Sequence, residues 1–175
     1  SPGKYTYASF GNGTTSHLIM EHLKHAAGLH VVHIPYKSGA TAAAALMAGD
    51  VDVGFDSLFS AMPRVKAGQV KILGVMQPQR SRVAPEIMST ADAGYPQVGL
   101  PAWMALFAPA ATPVPTLDAI AEAIRKAMGQ PDIQQRLADL GTEPFALDRA
   151  SFKSYMQDEA AQVGAIVRLA RIEPA

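Results

Sequence analysis

The chain has 175 residues, of which 49% are hydrophobic and 17% are charged, so its composition favours a packed globular core over disorder. Fifteen basic residues balance fifteen acidic ones without any lysine- or arginine-rich run, which disfavours nucleic acid and anionic membranes as partners. It contains no cysteine, which excludes disulfides and thiolate sites, and its apolar stretches end well short of the roughly 20 residues of a membrane span.

The first half of the sequence predicts strands that alternate with helices. Strands are predicted over 4–10, 30–34, 51–55 and 70–76. The first helix runs from Thr14 or Thr15 to Ala27, the second follows Ser38, and the third follows Asp56 or Ser57. This alternation indicates an α/β fold with a mostly parallel sheet flanked by helices.

The second half changes in character. Residues 77–101 are rich in proline, glycine and small polar residues and contain at most one helical turn, near Thr90. Beyond them, strands are predicted over 102–110 and 143–147, and amphipathic helices over 117–128 and 131–140. A last long helix is capped by Asp148 or Ser151.

A glycine-rich loop joins the first strand to the first helix, and its composition suits an anion. Its residues after Ser9 include Gly11, Asn12, Gly13, Thr14 and Thr15. Unpaired N–H groups and the positive end of the helix dipole meet in such a loop. The Gly-Lys-Ser/Thr ending of a phosphate loop and the third glycine of a dinucleotide site are missing, so a carboxylate fits better. Alternatively, the glycines only form the turn and the hydroxyls only cap the helix.

Two further loops follow parallel strands and should lie along the same edge of the sheet. The second loop offers Tyr36, Lys37, Ser38 and Gly39, and the third offers Asp56. A rim that carries one cation, one carboxylate and several N–H donors suits a small acid or amino acid. Each side chain also has a purely structural interpretation: capping for Asp56, solvation for Lys37 and edge packing for Tyr36.

Five segments resemble the Bug-type, TctC-like periplasmic receptors of tripartite tricarboxylate transporters in order and spacing. They are YASFGNGTTSHL, HIPYKSGATAAAALMAGDVDVGF, VKILGVMQPQRS, DAGYPQ and LFAPAATP. The resemblance implies a two-lobe flytrap fold and a small organic acid held by helix N-termini and loop amides. It places the family's clasp on Ser9, Gly11, Gly13 and Thr14, its second loop on 35–38, and its acidic strand end on Asp56. Ser38 departs from the family, which usually has glycine there.

The resemblance also implies a division of the chain. Residues 1–103 correspond to the second lobe, and residues 104–175 form the crossover and the C-terminal helices of a first lobe whose N-terminal part is absent. The chain is therefore expected to be a fragment or a short paralogue, with an exposed apolar surface on its C-terminal helices. A homodimer or a domain swap would cover that surface.

The resulting hypothesis is a periplasmic solute receptor without a catalytic residue, metal or cofactor. Its partners would be a small carboxylate and the membrane permease subunits of the transporter. The alternative is a small α/β hydrolase or metal-binding enzyme that uses the serine- and histidine-rich first loop. No Gly-x-Ser-x-Gly elbow supports a hydrolase, and only His22 and His25 share a helix face in a way that suggests a metal.

Overall fold

Two short parallel strands and a series of helices organise the chain. The computed structural model describes residues 3–100 and 102–172. In chain order the elements are β1 (Tyr5–Ser9), α1 (Thr15–Ala27), β2 (Val31–Pro35), α2 (Gly39–Ala48), α3 (Leu58–Lys66), α4 (Val114–Met128), α5 (Pro131–Asp139) and α6 (Arg149–Ala170).

β1 lies in the middle of the small sheet. On one side it pairs in parallel with β2, in a register that places Tyr5 beside Val31 and Ser9 beside Pro35. On the other side Val53 forms a parallel bridge with Tyr7. The chain after β1 thus returns as β2 on one side of β1. The chain after β2 then crosses to the opposite side, where Val53 lies. In open α/β sheets, ligands bind at the carboxyl ends of the strands where the chain reverses in this way.

The predicted third and fourth strands are reduced to single bridges. Beside β1, the Asp52 carboxylate accepts the Thr6 N–H at 2.8 Å, so a side chain replaces part of the backbone ladder. Around residue 75 the described residues form a single bridge, between Val75 and Ser89. In the described range 102–172, the strands predicted over 102–110 and 143–147 do not form. A strand needs a neighbouring backbone, and neither segment has one there.

The two faces of β1 have separate cores. Ala8 points to α2, where it packs with Ala42, Ala45 and Val51. On the other face Leu18 and Ile19 of α1 pack against Leu100 and Ile166. The sheet is therefore covered by helices on both faces, which confirms the predicted α/β fold.

Helix ends follow the sequence closely. Gly28 ends α1 with a φ of 62°, and its N–H donates to the carbonyl of Lys24. Ser38, Ser57 and Asp148 cap α2, α3 and α6 by accepting a first-turn N–H. The local capping predictions are confirmed. α4 was expected to begin at Leu117, but it begins at Val114.

α6 connects distant parts of the chain. Its C-terminal half packs on α1 through Ile166, and the indole N–H of Trp103 donates to the carboxylate of Glu159 in its middle. Met104, Leu106 and Phe107 lie exposed in the extended segment before α4. In the described part of the chain, the helices lack the length and apolar content that crossing a bilayer requires. The lobe division at residue 103 stays a prediction.

Candidate functional site

The loop after β1 is held from inside by three side chains. The Ser16 hydroxyl accepts the Phe10 N–H at 3.0 Å, and the Ser9 hydroxyl accepts the Gly11 N–H at 3.1 Å. His17 Nδ1 accepts the Gly13 N–H at 3.0 Å. These bonds fix the loop so that its inner amides are already used, and only part of the predicted set of donors remains.

The remaining donors belong to the first turn of α1. Among residues 3–100 and 102–172, no group accepts a hydrogen bond from the N–H of Thr15, Ser16 or His17. The N-cap residue Thr14 does not satisfy them, because its hydroxyl donates to the Gly11 carbonyl at 2.7 Å instead. The first turn of α1 therefore contains unpartnered donors at the positive end of the helix dipole, with Ser16 and His17 themselves buried. Asn12, Gly13 and Thr15 are exposed beside it.

The second predicted loop adjoins the first. The Tyr36 N–H donates to the Ser9 carbonyl at 3.0 Å, and Gly39 lies against the Phe10 ring, which a Cβ at this position would meet at 3.4 Å. Lys37 and Ser38 are exposed at the tip of this loop. The Ser38 hydroxyl accepts the Thr41 N–H at 3.2 Å, so it is engaged as the cap of α2.

In the third predicted loop, the carboxylate of Asp56 is less available to a ligand than expected. One oxygen of Asp56 accepts the Ser57 N–H at 2.8 Å, and the other lies 2.5 Å from the guanidinium of Arg64. Because Arg64 neutralises this carboxylate, Asp56 offers little free negative charge. In the described ranges, no hydrogen bond joins Asp56 to the first two loops.

A cluster of polar rings lies beneath the first loop, and the sequence did not predict it. The imidazoles of His17 and His33 stack with centroids 4.1 Å apart, and Tyr7 stacks on the other face of His33 at 4.8 Å. The Tyr7 hydroxyl donates to Glu21 at 2.7 Å, and Lys24 binds the same carboxylate oxygen at 2.6 Å. His33 is the polar residue in the middle of an apolar strand, and this feature of the sequence could have indicated the cluster.

Burial sets the charge state of this cluster. Burial, and to a smaller extent the neighbouring His17, lower the pKa of His33 to about 4. Burial likewise lowers the pKa of His17, against the attraction of Glu21. The pKa of the Tyr7 hydroxyl is raised by burial and by its bond to Glu21. Both imidazoles are therefore neutral at pH 7.

The same cluster contains a serine–histidine contact, since Ser9 Oγ lies 2.6 Å from His33 Nε2. A nucleophile needs access to its substrate, and the Ser9 side chain is 0% exposed and already bonded to the loop amide of Gly11. For metals, no group of three histidine, aspartate or glutamate side chains within residues 3–100 and 102–172 is arranged to hold an ion. The geometry favours holding a loop over performing a reaction.

Comparisons with known proteins identify the family of the chain. The model of the tripartite tricarboxylate transporter family receptor, TctC, matches residues 1–171. A UPF0065 protein of Bordetella pertussis is 37% identical over 174 residues, which are 99% of this chain and 54% of the relative. A solved periplasmic transporter is 31% identical with a TM-score of 0.86, over 99% of this chain and 58% of its own.

A further solved structure is that of MatC from Rhodopseudomonas palustris with bound malate. It is 26% identical with a TM-score of 0.76, and the match covers 94% of this chain and 57% of that one. The chain thus spans little more than half the length of these relatives. The periplasmic binding protein fold that the five segments implied is confirmed. The chain belongs to the tripartite tricarboxylate transporter receptor family, TctC.

Proposed function

We propose that this chain forms one side of the ligand site of an extracytoplasmic solute receptor, with the loop after β1 holding the carboxylate of a small organic acid or acidic amino acid. The observation that carries the proposal is the row of unpartnered N–H groups of Thr15, Ser16 and His17 beside an exposed loop. Membership of a receptor family supports a binding role. The malate bound to MatC supports an organic acid.

The chemistry of the first turn suits a carboxylate. An ionised carboxylate only accepts hydrogen bonds, and the first turn of α1 offers only donors. Each hydrogen bond to a charged group contributes about 1.5–3 kcal/mol, and the helix dipole adds a further favourable term. Two such bonds hold one end of a small acid without a lysine in the loop.

The second loop supplies the neighbouring contacts. Lys37 is exposed, and no acidic side chain of the described residues forms a salt bridge with it. It is therefore available to a second acid group of a dicarboxylate, while Tyr36 lines the boundary between the two loops. Asp56 remains a rim residue in this proposal, although Arg64 already binds it.

The wider role is also a proposal. A flytrap receptor gains affinity when its ligand bridges two lobes and stabilises the closed state. Since this chain covers 58% of its solved relative, we expect the chain alone to bind weakly. Delivery to membrane permease subunits in the periplasm would follow from the family's transporter role.

Backbone amide chemical shifts test the carboxylate proposal directly. We expect malate to shift the amide resonances of Thr15, Ser16 and His17 when it is added to the ¹⁵N-labelled chain. Thr15→Pro removes one donor and fits the first helical position, since Thr14 already has the extended φ of −71° and ψ of 161° that precede proline. The variant should bind malate about 10- to 100-fold more weakly, the loss of one charged hydrogen bond.

Thr15→Ala is the matched control, because it removes the hydroxyl and keeps the N–H. It should bind malate like the original chain. If mono-, di- and tricarboxylates and acidic amino acids all leave these amides unshifted, the carboxylate proposal is wrong. Equal affinities for the two variants would place the carboxylate elsewhere.

A further inference from the structure

The two stacked histidines each bind one part of the loop that the proposed ligand would touch. His17 Nδ1 accepts the Gly13 N–H at 3.0 Å, and His33 Nε2 lies 2.6 Å from the Ser9 hydroxyl. Ser9 links His33 to the turn, because its hydroxyl oxygen also accepts the Gly11 N–H at 3.1 Å. One imidazole therefore secures the start of the glycine-rich turn and the other secures its end.

The turn depends on these contacts because its own backbone is weakly constrained. Gly11 and Gly13 have φ of 127° and 73°. Glycine adopts positive and negative φ about equally readily, so these residues do not lock the turn in place by themselves. The exposed side of the turn has no packing to hold it: Asn12 and Gly13 are both exposed. The position of the turn is thus set from below, by Ser9, Ser16 and His17.

We propose that His17 and His33 are positioning residues of this loop, which keeps its ligand-binding shape only while both imidazoles are neutral. The part that concerns the ligand rests on the proposed function. The part that concerns the loop does not.

Protonation would break the arrangement at two points. A proton on Nδ1 of His17 turns the acceptor of the Gly13 N–H into a donor, so the two groups would oppose each other. Two imidazolium rings with centroids 4.1 Å apart would also repel. Both effects push the loop away from the position that α1 and β2 now give it.

The surroundings do not compensate for that charge. Glu21 on α1 is the acid that faces the rings, with its oxygen 4.0 Å from His17 Nε2, but Tyr7 and Lys24 already bind it. Lys24 adds a positive charge that opposes protonation. The segment after Val53 adds an apolar group, because the Phe55 ring lies edge-on to Tyr7. α6 packs its Ile166 against Leu18 and Ile19, which follow His17 in α1. The lowered pKa values of both histidines agree with this balance.

The test replaces the rings by amides that cannot be protonated. Asn and Gln side chains place a polar atom near Nδ1 and Nε2 of histidine, so the double variant H17N/H33Q retains both contacts. Amide spectra of the ligand-free chain are recorded between about pH 7 and about pH 4, the range set by the His33 pKa. The single variants H17N and H33Q are recorded as well, so that the test does not depend on the folding of the double variant. His25→Gln, which replaces an exposed imidazole, is the control.

We expect the Gly11 and Gly13 resonances of the original chain and of His25→Gln to move as the pH falls, and those of the double variant to stay. Malate affinity should fall at least about twofold more in the original chain than in the double variant at about pH 4, where about half of His33 is protonated, and this ratio cancels protonation of malate itself. The proposal is overturned if the double variant titrates like the original, or if the original gains affinity at low pH relative to it. Should no form bind malate, any other small carboxylate or an acidic amino acid at pH 7, the proposed function fails, and the ligand-free titration still decides the positioning role.

Discussion

At the scale of single residues, Gly11 illustrates how the loop constrains its composition. Its φ of 127° lies where side chains rarely fit, and a Cβ there would meet Thr14 at 3.7 Å and the Tyr36 carbonyl at 3.8 Å. Those distances are ordinary contacts, so space does not exclude a side chain. The backbone conformation excludes it, and the glycine is needed because the chain must turn sharply from β1 toward α1.

We therefore expect Gly11→Ala to lower the free energy of unfolding by about 1–3 kcal/mol, the usual cost of holding a residue in a disfavoured conformation. Gly164→Ala in α6 is the opposite case. Its added Cβ lies 3.4 Å from the flexible end of Arg168, and alanine stabilises helices by about 0.5–1 kcal/mol relative to glycine. Urea unfolding followed by circular dichroism measures both. Changes of the same sign would contradict this interpretation.

The residues that the sequence identified are those whose roles are local. Gly28 and Ser38 end and begin helices through contacts within five residues along the chain, so composition and spacing were sufficient to predict them. The contact between Ser9 and His33 joins residues 24 positions apart. It depends on the register between β1 and β2, which places His33 beside Tyr7 and which no local pattern specifies.

At the scale of elements, the same distinction separates helices from strands. A helix satisfies its hydrogen bonds within itself, so local signals sufficed to predict the helices: the amphipathic patterns of α1, α4, α5 and α6, and the capping residues of α2 and α3. A strand needs a partner, and alternation over 102–110 predicted a strand where none forms among the described residues. The sequence placed Asp56 at the end of the predicted third strand, but its pairing with Arg64, eight residues further along the chain, was not predictable.

The uncapped first turn of α1 leads to a prediction for that element. Thr14→Asp would place a carboxylate of the chain itself at the N-cap, where it accepts the free N–H groups and interacts favourably with the dipole. We expect malate affinity to fall at least tenfold while the melting temperature is unchanged or higher. Calorimetric titration and thermal unfolding measure the two quantities.

The control for this prediction is the same substitution at a helix that is already capped. Ser57→Asp replaces one capping side chain of α3 by another, since the Ser57 hydroxyl already accepts the Ser60 N–H. It should leave malate affinity near that of the original chain. If Thr14→Asp binds malate as well as Ser57→Asp does, the first turn of α1 does not hold the carboxylate.

At the scale of the whole molecule, three of the four most exposed large apolar side chains among the described residues lie in one segment. Met104, Leu106 and Phe107 are 93%, 77% and 75% exposed, and Phe145 lies exposed by 54% near Tyr155 of α6. Adjacent exposed side chains of this size form an apolar patch, and patches of this kind mark surfaces that bind other groups. The expected apolar surface is therefore present, although it lies more on the segment before α4 than on the helices themselves.

We expect this segment to make the purified chain bind a hydrophobic dye and associate as its concentration rises, because association removes apolar area from water at about 25 cal/mol per Å². The double variant M104Q/L106Q should reduce dye fluorescence and shift light scattering toward the monomer. Its stability should change by less than about 0.5 kcal/mol, since neither side chain is packed. Leu73→Gln removes a single side chain that is 71% exposed outside the segment, and it should change neither measurement. A monomer that binds no dye at any concentration would mean that the segment folds back onto the chain in solution. The expected homodimer or domain swap would then have no exposed apolar surface to drive it.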